Sequence, residues 1–211
     1  MSNINFRPWV GKNFLTTGYK GKKILVLGES HYCEGHEKYC PTCKKENMKE
    51  YCFSQTEEVI KDFVSKYKGD GCLQCFLCFE RAVTGKELSQ KEREEFWNGV
   101  MFYNYIQFSQ TGPRTAPLPE HWGQSEPAFQ ELLEQYMPDY IIVWGARLYD
   151  GLPDLGGVGS KLTIDGLGST DVWTYTIKGK QIPALKVHHP SSPTGKKRDY
   201  WHQFYKAFLK V

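Results

Sequence analysis

The stretch Lys23–Tyr32, KILVLGESHY, decides the fold of this chain. Residues 24–27 form a continuous apolar run, which is typical of a parallel strand that is buried on both faces. The run ends at Gly28, and polar residues follow it, beginning with Glu29. Because open α/β sheets bind their ligands at the carboxyl ends of the strands, the stretch predicts a strand that delivers polar side chains to a binding site.

Polar residues also interrupt or follow two other apolar segments. Asn104 is a lone polar residue inside the apolar stretch 100–106, and the sequence HHPSS at 188–192 follows the strand-like segment 182–187. The carboxyl ends of parallel strands meet at one edge of a sheet. We therefore expect these three polar breaks to line one shared pocket.

Helical and strand-like patterns alternate along the rest of the chain. Strands are predicted at 23–28, 100–108, 140–144, 172–177 and 182–187. Helices are predicted at about 54–69, 72–83, 89–97, 127–137 and 199–209. The glycine-rich segment 151–171 is predicted to be irregular. This alternation predicts an α/β fold with a mostly parallel sheet that helices cover on both faces.

Length and composition are those of an ordinary globular protein. A chain of 211 residues fits a single domain, since one core grows to roughly 250 residues. The formal net charge of +3 does not indicate nucleic-acid binding through bulk electrostatics. Aromatic residues make up 15% of the chain, a content that fits either base stacking or a large core.

The sequence contains no apolar run near the roughly 18 residues of a membrane-spanning helix. Residues 1–11 lack the charged-then-apolar order of a signal peptide. We therefore expect a cytoplasmic monomer that does not act at a membrane.

Four of the seven cysteines lie in the segment 33–53, which has few aliphatic residues. They are Cys33, Cys40, Cys43 and Cys52. A segment that cannot build its own core is readily ordered by a metal ion, and two cysteines separated by two residues suit one ion. We predict that 33–53 is an insertion with a structural zinc site made by these four thiolates, with His36 as a substitute ligand.

Two alternatives to zinc stay open at this point. The spacing of Cys72, Cys75 and Cys78 recurs in iron–sulfur proteins, so an iron–sulfur cluster is the rival cofactor if these residues contribute. Their apolar neighbours also fit a buried helical face. The other alternative is that the cysteines of 33–53 are free thiols.

The order of four short motifs resembles the uracil-DNA glycosylase superfamily. The motifs are Gly28–Tyr32, Gly99–Asn104, Ile142–Gly145 and His189–Ser192. The resemblance implies the uracil-DNA glycosylase-like fold, a three-layer α/β/α sandwich with a short, mostly parallel central sheet. It also implies a repair-type glycosylase that removes uracil or another damaged base by hydrolysing the N-glycosidic bond. The expected partner is DNA, including single-stranded DNA, or a free base or nucleotide.

The chemistry of such a reaction favours particular side chains. Loss of the base leaves positive charge on the sugar and negative charge on the base, so Glu29 and His189 are the predicted catalytic pair. A flipped base is recognised on its Watson–Crick edge, which suits the amide of Asn104. The predicted base-binding residues are Gly28, Ser30, Tyr32 and Asn104. The predicted phosphate-binding residues are Ser191, Ser192, Lys196 and Arg114.

Ser30 keeps two other classes of function open. In the best-known members of the superfamily its position holds an Asp that activates water. A non-catalytic nucleic-acid or nucleotide-binding protein of the same fold is therefore the alternative. Gly28-Glu29-Ser30 is also similar to the start of a serine esterase family, which has an Asn and a His further along, so an esterase is the third and most remote class.

Overall fold

A computed structural model describes residues 2–32, 50–66, 73–110, 112, 115–192 and 198–210. The strands are β1 (Trp9–Val10), β2 (Ile24–Gly28), β3 (Val100–Asn104), β4 (Tyr140–Trp144), β5 (Val158–Ile164), β6 (Gly168–Ile177) and β7 (Lys180–Val187). The helices are α1 (Glu50–Phe53), α2 (Gln55–Lys66), α3 (Gln74–Thr84), α4 (Gln90–Asn98), α5 (Pro119–Tyr136), α6 (Ala146–Gly151) and α7 (Arg198–Leu209).

Within these residues the strands form one seven-stranded sheet in the order β1-β3-β2-β4-β7-β6-β5. The four central strands, β3, β2, β4 and β7, are parallel. Strand β1 at one edge and the pairs β7–β6 and β6–β5 at the other are antiparallel. The α/β class is therefore confirmed, but the sheet is mixed, and the prediction of a mostly parallel sheet holds only for its centre.

The predicted β2 run is buried on both faces of the sheet. Ile24 and Val26 contact an apolar cluster to which α2, α3, α4 and α7 contribute, whereas Leu25 and Leu27 contact a second cluster that includes residues of α5. Full burial of an aliphatic side chain contributes roughly 1.5–3 kcal/mol. The alternation of contacts along β2 thus anchors the strand between two cores and fixes where it ends.

Helices α3 and α4 are joined by a buried ion pair. Glu80 is fully buried, and Arg93 donates to both of its carboxylate oxygens, from Nε at 3.1 and 3.2 Å and from Nη2 at 2.9 Å. The indole Nε1–H of Trp97 donates to Oε2 of Glu80 at 3.0 Å. The Arg93 guanidinium also lies over the ring of Phe63, 5.1 Å from its centroid. The Glu80–Arg93 ion pair thus lies within the apolar cluster that contains Ile24 and Val26.

Several elements differ from the sequence prediction. The segment 151–171, predicted to be irregular, holds β5 and the start of β6. Strand β5 is an edge strand with mostly exposed side chains, so it lacks the apolar run that marks a buried strand. Strand β3 ends at Asn104, although Tyr105 N–H still donates to the carbonyl of Gly28 at 2.9 Å.

Helix α5 begins at Pro119, well before Pro127. Proline is favoured in a first helical turn because its nitrogen has no hydrogen to leave unpaired there, and Pro119 takes that place. Pro127 lies inside the helix. Among the described residues, no helix is both long and apolar enough to cross a membrane.

Candidate functional site

The candidate site begins where β2 and β3 end side by side. The two strands are parallel, and Gly28 pairs with Asn104 in register. A Cβ atom added to Gly28 would lie 2.3 Å from Oδ1 of Asn104, a distance that van der Waals contact forbids. Gly28 is therefore needed so that the Asn104 amide can lie across the end of β2.

The Asn104 amide contacts a buried histidine. The Nδ2 atom of Asn104 lies 3.3 Å from Nδ1 and 3.2 Å from Nε2 of His31. The Thr56 hydroxyl lies 2.9 Å from Nε2 of His31, and the Phe6 ring packs against the imidazole with centroids 4.6 Å apart. Burial lowers the pKa of His31 to about 3. The ring is therefore neutral near pH 7, and a neutral imidazole has one nitrogen that can accept from the amide.

Glu29 is held by an arginine from a different segment. Arg147 donates from Nε to Oε2 of Glu29 at 2.8 Å and from Nη2 to Oε1. The Glu29 side chain is 16% exposed and the Arg147 side chain 54% exposed. Hydrogen bonding to Glu29 raises the pKa of Arg147 above its ordinary value. This two-point geometry orients the carboxylate.

A glycine at the end of β4 brings Arg147 to this position. Gly145 connects β4 to α6 with φ of 102°, a conformation that residues with a Cβ rarely adopt. The tight turn starts α6 directly at the end of the strand. Arg147 in its first turn can thus reach the neighbouring end of β2.

His189 follows β7 and lies over the end of β4. Its ring is nearly perpendicular to the indole of Trp144, with centroids 5.9 Å apart. Its Nδ1 accepts the backbone N–H of Ser191 at 3.3 Å and lies 2.8 Å from the Ser191 hydroxyl. These bonds assign the ring proton to Nε2, since an accepting nitrogen carries no hydrogen.

Electrostatics connect His189 to the Glu29–Arg147 pair. Desolvation lowers the pKa of His189, the charge of Glu29 opposes this shift, and the charge of Arg147 reinforces it. A neutral His189 therefore lies within electrostatic reach of both charged groups. Their convergence joins the ends of β2, β4 and β7.

The other predicted base-binding and loop residues lie on the same edge or beside it. Ser30 is half-buried. The half-buried Tyr32 accepts from Nε2 of Gln55 at 3.0 Å through its backbone carbonyl. The backbone N–H of Ser192 donates to the carbonyl of His189 at 2.9 Å, which closes the loop after β7. In the described part of the chain, Ser30 has no hydrogen bond to His189 that would support a serine esterase.

Several predicted residues lie outside the described residues. They are Arg114, Lys196, Cys33, His36, Cys40, Cys43 and Cys72. Cys52 is described and is a half-buried free thiol. Among the described side chains, no group of three or more Cys, His, Asp or Glu is placed to hold a metal ion. The four-cysteine zinc site and its iron–sulfur rival therefore stay predictions.

Sequence reasoning did not assign a role to His31 or Arg147. His31 was visible in the polar break after β2, but nothing in the sequence marks it as the buried partner of Asn104. Arg147 stands two residues after the strand-ending Gly145, and that position is the only sequence signal for it. Both contacts join segments that are more than 70 residues apart.

The assembled site combines a neutral donor, an oriented carboxylate and an amide. His189 presents Nε2–H, Glu29 presents negative charge, and Asn104 presents both a donor and an acceptor. Such a set can stabilise opposite charges that develop on two parts of one substrate. No protein-family model matches the sequence, and the comparison with curated proteins gave no match.

Proposed function

We propose that this protein is a DNA glycosylase-type hydrolase, which cleaves the bond between a damaged base such as uracil and its sugar. The observation that carries the proposal is that Glu29, Asn104 and His189 all lie at the carboxyl ends of the parallel central strands, on β2, β3 and β7. In fold, the proposal places the chain with the sandwich of the uracil-DNA glycosylase superfamily. The mixed sheet with a parallel centre and apolar cores on both faces supports that placement.

Each group has a role in this reaction. The Asn104 amide binds the Watson–Crick edge of the base, and Gly28 leaves the space that the amide needs. Neutral His189 donates from Nε2 to the base oxygen, which gains negative charge as the bond breaks. Glu29, oriented by Arg147, stabilises the positive charge that develops on the sugar. Water completes the hydrolysis.

A strand-cleavage assay tests this proposal. Oligonucleotides that carry one uracil, single-stranded or paired with guanine, are incubated with the protein, and abasic sites are cleaved with alkali. We expect product with the wild type and about a hundredfold less with Asn104→Ala or His189→Gln, because each removes a group that acts in the transition state. Asn13→Ala, at an exposed position, is the matched control and should retain full activity.

A wild-type protein that releases no base from either substrate would refute the uracil assignment. Equal activity of wild type and Asn104→Ala would refute the assignment of Asn104 as the base-binding residue.

A second function is a non-catalytic binder of nucleic acid or nucleotides. The observation that favours it is that Glu29 and Asn104 already have partners within the protein, Arg147 and His31. Fluorescence anisotropy with a labelled single-stranded oligonucleotide at low salt, where phosphate contacts are strongest, tests this alternative. Binding without base release supports it, and an unchanged anisotropy rules it out.

A further inference from the structure

The imidazole of His31 contacts the Asn104 amide and takes no part in the proposed reaction. His31 is only 6% exposed, so its contacts are with the protein. Its Nε2 lies 2.9 Å from the Thr56 hydroxyl of α2, and the Phe6 ring packs against the imidazole. The backbone carbonyl of His31 accepts from the N–H of Gln110 at 2.8 Å. Three separate segments of the chain therefore hold His31 in place.

The distances show how the amide meets this ring. Nδ2 of Asn104 is nearly equidistant from the two ring nitrogens of His31, at 3.3 and 3.2 Å. A position in the ring plane at these distances would press Nδ2 onto the carbon between the nitrogens, so Nδ2 lies over the ring face. The face of an aromatic ring is negative, and it attracts an N–H group and repels a carbonyl oxygen. This preference holds for both tautomers of the neutral ring.

Gln107 holds the backbone of Asn104. Its Nε2 donates to the Asn104 carbonyl at 3.0 Å, and its Oε1 accepts from the backbone N–H of Asn5 at 2.8 Å and of Phe6 at 3.2 Å. Phe6 is also the residue whose ring packs on His31. These contacts therefore tie the backbone of Asn104 and the ring against its amide into one unit.

The oxygen of the same amide has a different environment. Among the described residues, no group donates to Oδ1 of Asn104, and Oδ1 is not one of the buried atoms that lack a partner. Oδ1 thus keeps accessible surface. It lies over Gly28, where an added Cβ would be only 2.3 Å away. The amide therefore presents an acceptor at the end of β2.

We propose that His31 is a specificity-determining residue that fixes the orientation of the Asn104 amide, so that Oδ1 faces the ligand as an acceptor. This inference rests on the proposed function, in which Asn104 binds the base. An acceptor in this place pairs with a ring N–H, which uracil and other lactam bases carry beside a carbonyl group. In cytosine the corresponding ring nitrogen is itself an acceptor, and two facing acceptors both stay unpaired. His31 acts through Asn104 and is therefore a positioning residue.

Binding of uncleavable oligonucleotides tests this inference without catalysis. One single-stranded probe carries 2′-fluoro-2′-deoxyuridine, its matched partner carries 2′-fluoro-2′-deoxycytidine at the same place, and fluorescence anisotropy gives both affinities. We expect the wild type to bind the uridine probe at least about tenfold more tightly than the cytidine probe, because the cytosine ring nitrogen leaves Oδ1 unpaired. Equal affinities for the two probes would overturn the inference.

Two variants of His31 separate a positioning role from a purely structural one. His31→Leu removes the ring face, so the ratio of the two affinities should fall below about threefold, since the amide is then free to turn. His31→Phe keeps a ring face against the amide and should retain most of the wild-type ratio. Either apolar side chain would satisfy a role in filling space. An unchanged ratio in His31→Leu, or an equal loss in both variants, would refute the role of His31.

Thr56→Val is the matched control at the same site. It removes the hydroxyl partner of His31 but leaves the imidazole and the Phe6 ring, so its affinity ratio should stay close to the wild-type value. Circular dichroism verifies that each variant is folded. If Thr56→Val loses selectivity as fully as His31→Leu does, a general disturbance of this region explains the loss and the inference fails.

The side-chain amide signals of Asn104 test the contact in the absence of any ligand. Comparison with Asn104→Ala assigns its two Nδ2 protons in a ¹⁵N–¹H correlation spectrum. A proton held over a ring face is shielded, so we expect one of them upfield of ordinary asparagine amides in the wild type and in His31→Phe, but not in His31→Leu. Ordinary shifts for both protons in the wild type would contradict the proposed orientation.

The failure of this inference is distinguishable from the failure of the proposed function. A wild type that releases no base but binds the two probes with the expected ratio refutes the catalytic proposal alone. A wild type that releases uracil but binds the two probes equally refutes the role of His31 alone.

Discussion

Two arginine–carboxylate pairs in this molecule have the same chemistry and different surroundings. Glu80 and Arg93 join α3 to α4, where the carboxylate is fully buried and also accepts from Trp97. Glu29 and Arg147 join the end of β2 to α6, where the guanidinium is 54% exposed. Both are two-point pairs, so geometry alone does not distinguish their roles.

Burial separates the two pairs. Removal of one partner from a buried pair leaves a charge that neither water nor protein compensates. Water can solvate the half-exposed guanidinium of Arg147, so this pair contributes less to stability than the buried one. The first pair is therefore a structural element, whereas the guanidinium of the second is accessible from solvent. This contrast supports the assignment of the β2 edge as the functional one.

The largest expected effect is that of Glu80→Gln. It leaves the Arg93 charge without its partner and should lower the free energy of unfolding by about 3 kcal/mol or more. Urea denaturation followed by circular dichroism measures the change. The control, Glu95→Gln, alters a 65% exposed carboxylate on α4 and should cost less than about 0.5 kcal/mol. A loss below about 1 kcal/mol for Glu80→Gln would remove the distinction between the pairs.

His31 should make stability depend on pH. Burial lowers its folded-state pKa to about 3, whereas an unfolded histidine titrates near 6.5. Between these values the unfolded chain binds a proton that the folded chain does not, so this contribution to stability is complete above about pH 6.5 and is lost as the pH falls towards 3. The expected slope is about 1 kcal/mol per pH unit between pH 6 and 4.

Denaturation of His31→Gln over this pH range measures the contribution of His31. The variant should show a flatter dependence than the wild type. Thr56→Val removes the hydroxyl partner but keeps the buried ring, so it should keep the wild-type slope. An unchanged slope in His31→Gln would show that His31 is not the group responsible.

Arg147→Gln should have a small effect on stability and a larger one on activity. The free energy of unfolding should change by less than about 1 kcal/mol, because the Arg147 side chain is 54% exposed. Under the proposed function, uracil excision should fall about tenfold, since Glu29 loses the group that orients it. Lys161→Gln breaks an exposed pair with Asp171 and is the control for both assays. Unchanged excision would leave Arg147 with no role in the reaction.

The smallest expected effect is that of salt concentration on the stability contributed by the two ion pairs. At 1 M ionic strength the Debye length falls to about 3 Å, which screens exposed charges far more than buried ones. The coupling energy of Glu29 and Arg147 in a double-mutant cycle should fall from a few tenths of a kcal/mol to near zero between 0.1 and 1 M NaCl. The cost of Glu80→Gln should stay within about 0.5 kcal/mol over the same range. An equal salt response would mean that burial does not separate the two pairs.

The parts of the fold that are locally encoded were predicted from the sequence. The run 24–27 indicates a strand buried on both faces, and the helix predicted at 89–97 matches α4, which the structure opens with a Ser89 and Glu92 capping box. Strand β5 was missed because its exposed edge position removes the apolar pattern on which a strand prediction depends. The sequence predicts a helix start at Pro127 because proline suits a first helical turn, whereas the structure places Pro127 inside α5.

The residues of the candidate site also divide into those that the sequence predicts and those that it does not. Gly28, Glu29 and His189 are predicted because they end or follow a strand-like segment, and Asn104 because it is the lone polar residue inside one. Their assembly at one edge follows from parallel pairing, which the alternation of strands and helices predicts. Arg147 and His31 were not assigned, since each meets its partner only through the register of strands that are far apart in sequence.

The sequence by itself determined which side chains stand at the ends of buried strands, because an apolar run that stops at a glycine or an asparagine is a local pattern. Only the tertiary structure decided which of these side chains have partners. Glu29 meets Arg147, and Asn104 meets His31, because parallel pairing aligns the end of β2 with the ends of β3 and β4. Partner choice also depends on burial, which sets the pKa of His31 and the difference between the two arginine pairs, and burial is a property of the packed molecule rather than of any short segment.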